Sequence, residues 1–252
     1  MGGEVLPLAR RSTPCYALRP MAMTGENSTQ ATSRWLIPRM AVMEGAQAMF
    51  RAGLVVGSSG NVSARCSADG ADYMAVTATG KDYERLTLKQ IVVVDLDGEP
   101  VVGDAVPSSE TLVHAAIYAA RPDVGAVMHT HSVYASGLAV AGVSLPPLID
   151  EMVLVLGGGI EVSNYAFPGT DELGTSVVAA LGERNAALIR NHGVVGVGAT
   201  VAEAFDACQL VERLAQIYNV ANAAGSAPAL APDVVASEIE LFRMRRRAEG
   251  GG

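Results

Sequence analysis

The stretch AVMHTHS, residues 126–132, runs three apolar residues into two histidines two positions apart. The chain has four histidines in 252 residues, so two together ask for a reason. On a β-strand, side chains at i and i+2 share a face, which points His129 and His131 the same way and Thr130 the other. On a helix the same spacing sends them to nearly opposite sides. The strand reading makes the pair either a two-ligand metal clamp or two solvated polar residues closing a strand. It also sets the fold class, because helical patterns flank the stretch on both sides.

Before it, PSSETLVHAAIYAARPD predicts a helix from about Ser109 to Arg121, closed by Pro122. After it, VYASGLAVAG predicts another. Farther out, PRMAVMEGAQAMFRA reads as an amphipathic helix over 38–52, with Gly53 as its stop. GLVVGSSGNVSAR is a glycine-rich turn entering a strand. YMAVTATGKDYERL reads as a strand, a turn and a short helix, and IVVVDLDGEPVVG as two strands joined at Asp97-Gly98. In SLPPLIDEMVLVLGGG, strand and helix readings compete. DELGTSVVAALGE is a helix capped by Thr170 or Asp171. AALIRNHGVVGVG is strand, turn, strand. A long helix then ends at Gly225, and PDVVASEIELFRMRRRAE forms a last helix with a basic end. The alternation predicts an α/β protein, a three-layer α/β/α sandwich; the hairpin-like turns predict a mixed, largely antiparallel central sheet. Residues 32–248 are expected to form one domain, between a flexible leader (1–31) and a flexible tail (249–252).

Composition narrows the function. Half the residues are hydrophobic and 17% are charged, which suits a globular chain rather than a disordered one. The net charge of -8 argues against nucleic acid as a partner. An anionic substrate would need a local device such as a nest of backbone amides. Cys15, Cys66 and Cys208 are far apart and form no CxxC, so a reducing cytoplasm fits best. No apolar run has the length of a membrane helix, and the leader lacks the apolar core of a signal peptide.

Two further histidines bear on the clamp. His192, in ALIRNHGVVGVG, stands at another strand end, either as a third ligand or as an ordinary turn residue. Three neutral imidazoles suit zinc or another divalent transition metal and leave a position open. His114 shares a helix face with Glu110 at i, i+4, and reads better as a packing histidine than as a ligand. Glu110 follows Ser108 and Ser109 at a helix start, where these serines either cap the helix or hold an anion.

Taken in series, GLVVGSSGNVSAR, VTATGKDYERL, VPSSETLVHAAIYAARPDVGAVMHTHS and NHGVVGVG resemble the class II aldolase/adducin family over about residues 38–245. The resemblance implies zinc held by His129, His131 and His192, with Glu110 as catalytic acid/base that also approaches the metal. It implies a phosphate cradle from Gly60-Asn61, Thr79-Gly80 and Ser108-Ser109, with Lys81 either assisting or solvated. The implied reaction is reversible cleavage of a ketose 1-phosphate, such as L-fuculose 1-phosphate or a deoxypentulose 1-phosphate, to dihydroxyacetone phosphate and an aldehyde. It runs through a zinc-stabilised enediolate, in a homotetramer with sites at subunit interfaces.

One departure stands out. Where these aldolases carry a proton-donating tyrosine, this sequence offers Asp150 or Glu151, depending on the direction of counting. Each reads equally as a proton donor or as a structural carboxylate. A second tyrosine near the C-terminus gives way to a position near Arg245. Other branches of the same resemblance are a pentulose-5-phosphate 4-epimerase, an iron-dependent oxygenase or decarboxylase, and a non-catalytic adducin-like module. The epimerase would need an acid near Leu154, and the adducin reading leaves the three histidines and Glu110 without a use.

Overall fold

The computed structural model describes residues 34–249; the leader expected over 1–31 and the last three residues of the expected tail lie outside the described residues. Seven strands form one sheet in the order β4-β3-β2-β1-β5-β7-β6. They are β1 (Asn61–Ala68), β2 (Ala71–Thr77), β3 (Ile91–Asp95), β4 (Pro100–Val102), β5 (Ala126–Thr130), β6 (Ala186–Ile189) and β7 (Gly193–Gly198). Every pair of neighbouring strands is antiparallel. A parallel pairing survives as the isolated bridge Val162–Leu188, so the sheet is even less mixed than expected.

Helices cover both faces, which is why strands such as IVVV are apolar at every position rather than at alternate ones. Ile91 and Val93 point to one face, where they meet α1 (Leu36–Arg51) and α6 (Val201–Ala223) through Met49, Ala204 and Cys208. Val92 and Val94 point to the other face, against α2 (Thr111–Ala120) and α5 (Asp171–Leu181) through Ile117, Tyr118, Leu173 and Val177. A third buried cluster joins α3 (Val133–Ala141), α4 (Asp150–Leu156) and α6 to the β6–β7 end of the sheet. The last helix, α7 (Pro232–Glu249), packs on α4. Among the described residues no helix is long and apolar enough to cross a membrane.

Three local expectations change. The short helix read into KDYERL is absent. Asp82 accepts the amide of Glu84 in a tight turn, Tyr83 and Leu86 are buried, and helical geometry begins only as a 3-10 turn over Leu88–Gln90. Burial of two side chains on an irregular loop outweighs the weak local preference for helix. The ambiguous SLPPLIDEMVLVLGGG resolves into α4, stopped at Gly157 in the left-handed region (φ 83). The helix expected from Ser109 starts at Thr111, with Glu110 at its N-cap and no side-chain cap bond there. The expected cap at Thr170 is present, its hydroxyl accepting the Leu173 amide at 3.3 Å.

Candidate metal centre

Strand β5 decides the centre. Val127 faces α2 and α5, so the period of two puts His129 on that face as well. His131, just past the strand end, continues the same side. β5 is paired on both flanks, with His129 opposite Asn61 on β1 and opposite Val195 on β7. The β6–β7 hairpin turns through Arg190, Asn191 and His192. Asn191 takes the left-handed conformation (φ 56), which suits its short polar side chain and swings His192 back toward β5. Helix α2 presents Glu110 from its N-terminus.

These segments bring four groups together. The donor atoms of Glu110, His129, His131 and His192 all lie within 4.8 Å of one another. The three imidazoles meet edge to face, with ring centroids 4.7, 4.7 and 4.8 Å apart. Glu110 Oε2 is 3.3 Å from His129 Nε2, and Glu110 Oε1 is 3.3 Å from His192 Nε2. Donors about 2.0–2.1 Å from a shared tetrahedral ion would lie roughly 3.3–3.4 Å apart.

The protonation pattern fits a cation. His129 Nδ1 lies 2.8 Å from the carbonyl of Val194, which can only accept, so Nδ1 carries the proton and Nε2 offers a lone pair. That Nε2 faces His131 Nε2 at 2.8 Å. Glu110 Oε1 is buried without a hydrogen-bond partner. One proton can bridge one such contact, whereas one divalent ion satisfies all four groups together.

Burial pushes His129 down to about 4, with Glu110 opposing, and also lowers His131. Burial would raise Glu110, yet His129, His192 and the Asn61 hydrogen bond outweigh it and hold the carboxyl below its ordinary range. The Asn61 amide, 2.8 Å from Oε2, donates to the carboxylate and favours its ionised form. His114 does not join the quartet. It is fully buried, hydrogen-bonded at both ring nitrogens, and pushed by burial down to about 3.

A cleft of about 210 Å³ opens beside the quartet. Gly60, Asn61, Thr79, Ser108, Ser109, Glu110, His131 and His192 line it, and among the described residues no lysine or arginine does. Gly80 stands next to this lining, with φ 65 and open space around it. The amides of Thr79 and Ser108 are already bonded, to the carbonyls of Val106 and Thr77. These two residues therefore offer the cleft hydroxyl groups rather than backbone donors. Ser108 Oγ accepts the Glu110 amide at 3.3 Å, which leaves its own hydrogen for a ligand. Asn61 lines the cleft, but its side chain is engaged by Glu110 and His114.

Asp150 and Glu151 are exposed in the first turn of α4 and do not line the cleft of their own chain. Asp150 instead stands near Glu238 of α7, and burial and Asp150 together raise the Glu238 carboxyl. Sequence reasoning missed Tyr83 and Pro168, which also border the cleft. Tyr83 donates its hydroxyl to the Gly60 carbonyl, and an aromatic residue amid the polar GKDYER was the available signal. Pro168 lies far along the chain and carried none.

Gly193 lets the rings approach. An added Cβ would sit 2.3 Å from the Thr130 carbonyl oxygen and 3.0 Å from His131 Cδ2. Gly193→Ala is expected to lower stability by about 1–3 kcal/mol and to weaken metal binding; thermal melts and metal titration check both.

Acid stability should carry the mark of His114. The unfolded chain binds a proton at this residue near pH 6.5, the folded chain only near 3. The unfolded state thus holds more protons between these values, so stability is full above about 6.5 and declines as pH falls toward 3, by up to about 1.4 kcal/mol per unit. Metal-free His114→Gln is expected to show a shallower decline in denaturant melts across this window.

Comparison with known proteins extends the picture. The model of the Class II Aldolase and Adducin N-terminal domain matches residues 40–219. The L-fuculose phosphate aldolase of Escherichia coli (strain K12) is 36% identical over 196 residues, covering 77% of this chain and 89% of the relative. The 5-deoxy-D-ribulose 1-phosphate aldolase of Bacillus thuringiensis is 31% identical over 204 residues, covering 81% and 92%. A solved L-fuculose 1-phosphate aldolase superposes with a TM-score of 0.77 at 30% identity, covering 82% of this chain and 96% of that one. Agreement this long, in residues and in backbone alike, is that of common descent: the chain belongs to the class II aldolase/adducin family.

Proposed function

We propose that this chain cleaves a ketose 1-phosphate, L-fuculose 1-phosphate or a deoxypentulose 1-phosphate, reversibly to dihydroxyacetone phosphate and an aldehyde. His129, His131, His192 and Glu110 would hold zinc, the metal that three neutral imidazoles and a carboxylate suit. Bound there, zinc supplies Lewis acidity toward the substrate carbonyl and its neighbouring hydroxyl. The observation that carries the reading is Glu110 Oε1: buried, ionised, without a hydrogen-bond partner, and at the edge of a cleft lined by hydroxyls. Class II aldolases use a divalent metal, and the curated relatives named above act on phosphorylated ketoses, which favours this substrate class.

In this reading Glu110 delivers a proton to the carbon that loses the aldehyde, and removes it in the condensation direction. Thr79, Ser108 and Ser109, with Gly60, Asn61 and Gly80, surround the phosphate. Hydroxyls and amides receive the dianion in place of a cationic side chain. Asp150 or Glu151 serves as proton donor to the aldehyde oxygen in condensation, and accepts the hydroxyl proton in cleavage, only from another copy of the chain, since both lie outside their own cleft. A homotetramer with sites at subunit interfaces, acting in the cytoplasm, completes the reading.

The test is incubation of metal-replete protein with L-fuculose 1-phosphate, deoxypentulose 1-phosphates and L-ribulose 5-phosphate. Release of dihydroxyacetone phosphate from a 1-phosphate is the expected result. Formation of D-xylulose 5-phosphate instead would mark an epimerase, and inertness toward every sugar would remove both readings. Ser108→Ala is expected to raise KM about tenfold with little change in kcat, because a hydroxyl on a non-reacting phosphate contributes about 1.4 kcal/mol of uniform binding. Steady-state kinetics on the preferred sugar measure it.

A further inference from the structure

Behind Glu110 a file of buried polar groups runs between α2 and β1. Asn61 Nδ2 donates to Glu110 Oε2 at 2.8 Å, and Asn61 Oδ1 lies 2.5 Å from His114 Nε2. His114 Nδ1 lies 2.6 Å from Ser63 Oγ, which lies 2.8 Å from the Tyr118 hydroxyl. Ser63, His114 and Tyr118 are all buried, and none of the three lines the cleft.

The chemistry of the end group sets the direction of every bond. An ionised carboxylate only accepts, so Asn61 must turn its amide nitrogen to Glu110 and its oxygen to His114. That oxygen only accepts, so His114 Nε2 must carry the proton. Full burial keeps the imidazole neutral, so Nδ1 is a lone pair and Ser63 donates to it. Ser63 oxygen then accepts from Tyr118. Tyr118, Ser63, His114 and Asn61 each donate one step closer to Glu110, and aligned donors of this kind reinforce one another.

We propose that Tyr118, Ser63, His114 and Asn61 form a one-way hydrogen-bond relay that positions Glu110, anchoring Oε2 and leaving Oε1 as the oxygen that moves the proton. The inference rests on the acid/base role proposed for Glu110 above. His114 is a positioning residue here, acting through Asn61. A carboxylate anchored at one oxygen keeps a fixed aim at the reacting carbon, and loss of such supporting contacts typically lowers activity about 10–100-fold.

Two experiments test it. With four histidines in the chain, nitrogen NMR of ring-labelled, metal-free protein resolves the tautomer of each. His114 is expected neutral and protonated at Nε2 at pH 7; protonation at Nδ1 would reverse the relay and overturn the proposal, whatever any variant does. The second is kinetic, with the ketose 1-phosphate on which the wild type acts. His114→Leu should lower kcat about 10–100-fold, with KM within about twofold and metal content unchanged. His114→Gln, which retains an N–H donor toward Asn61, should recover most of that loss. Equal losses in both variants, or wild-type kcat in His114→Leu, defeat the relay. If Glu110→Gln is inactive while His114→Leu is normal, the relay alone is wrong; a fully active Glu110→Gln brings down the acid/base role itself.

Discussion

Glu110→Gln is expected to lower kcat by about 10²–10⁴-fold while the protein stays folded and retains metal. The substitution preserves shape, and the amide oxygen can still accept from Asn61 at the Oε2 position. What disappears is the basic oxygen Oε1, which is buried and accepts no hydrogen bond. Three imidazoles remain to hold a metal, so ligand loss is partial. The loss should fall on kcat, because the proton moves only after the sugar is bound. Steady-state kinetics with metal content by mass spectrometry separate the two effects. A variant that keeps its metal and turns over at the wild-type rate would show that Glu110 moves no proton.

His129→Ala is expected to abolish both metal binding and turnover, the latter by about a thousandfold or more, since Lewis-acid assistance is worth several kcal/mol. His129 is the most deeply placed of the three imidazoles, paired through its strand on both sides and hydrogen-bonded to Val194. Its removal also leaves a cavity and an unpaired carbonyl, at about 1–3 kcal/mol of stability. A chelator on the wild type should reproduce the loss of activity without the loss of packing. Added zinc should then restore the wild type and leave the variant inactive. Wild-type metal stoichiometry in His129→Ala would take this residue out of the ligand set.

The arrangement of parts that look separate follows from the sheet. β5 lies between β1 and β7, so the residues that flank His129 in space are Asn61 and Val195, which are 68 and 66 positions away or nearer only through the register. Gly60–Asn61, Ala78–Thr79 and Ser108–Glu110 gather around it because β1 begins, β2 ends and α2 begins there. Charge placement follows the same logic: in a chain of net charge -8 the described residues line the cleft with hydroxyls and no lysine or arginine, which suits an anion only through local donors.

The sequence by itself determined what depends on period and on turn chemistry. HxH at a strand end put two imidazoles on one face, because side chains of a strand alternate. The helices after PSSE and HTHS were legible from apolar spacing and the one after Thr170 from its cap, and the alternation of strand and helix patterns announced a three-layer arrangement. Only the tertiary structure decided what depends on distance between remote segments. It placed Glu110 3.3 Å from both His129 and His192, turned the Asn61 side chain from the cleft to Glu110 and His114, and made KDYERL a loop by burying Tyr83 and Leu86. It also set Asp150 and Glu151 outside the cleft. A one-dimensional pattern records which face a residue takes; strand register and helix docking, both fixed by long-range packing, record what it meets there.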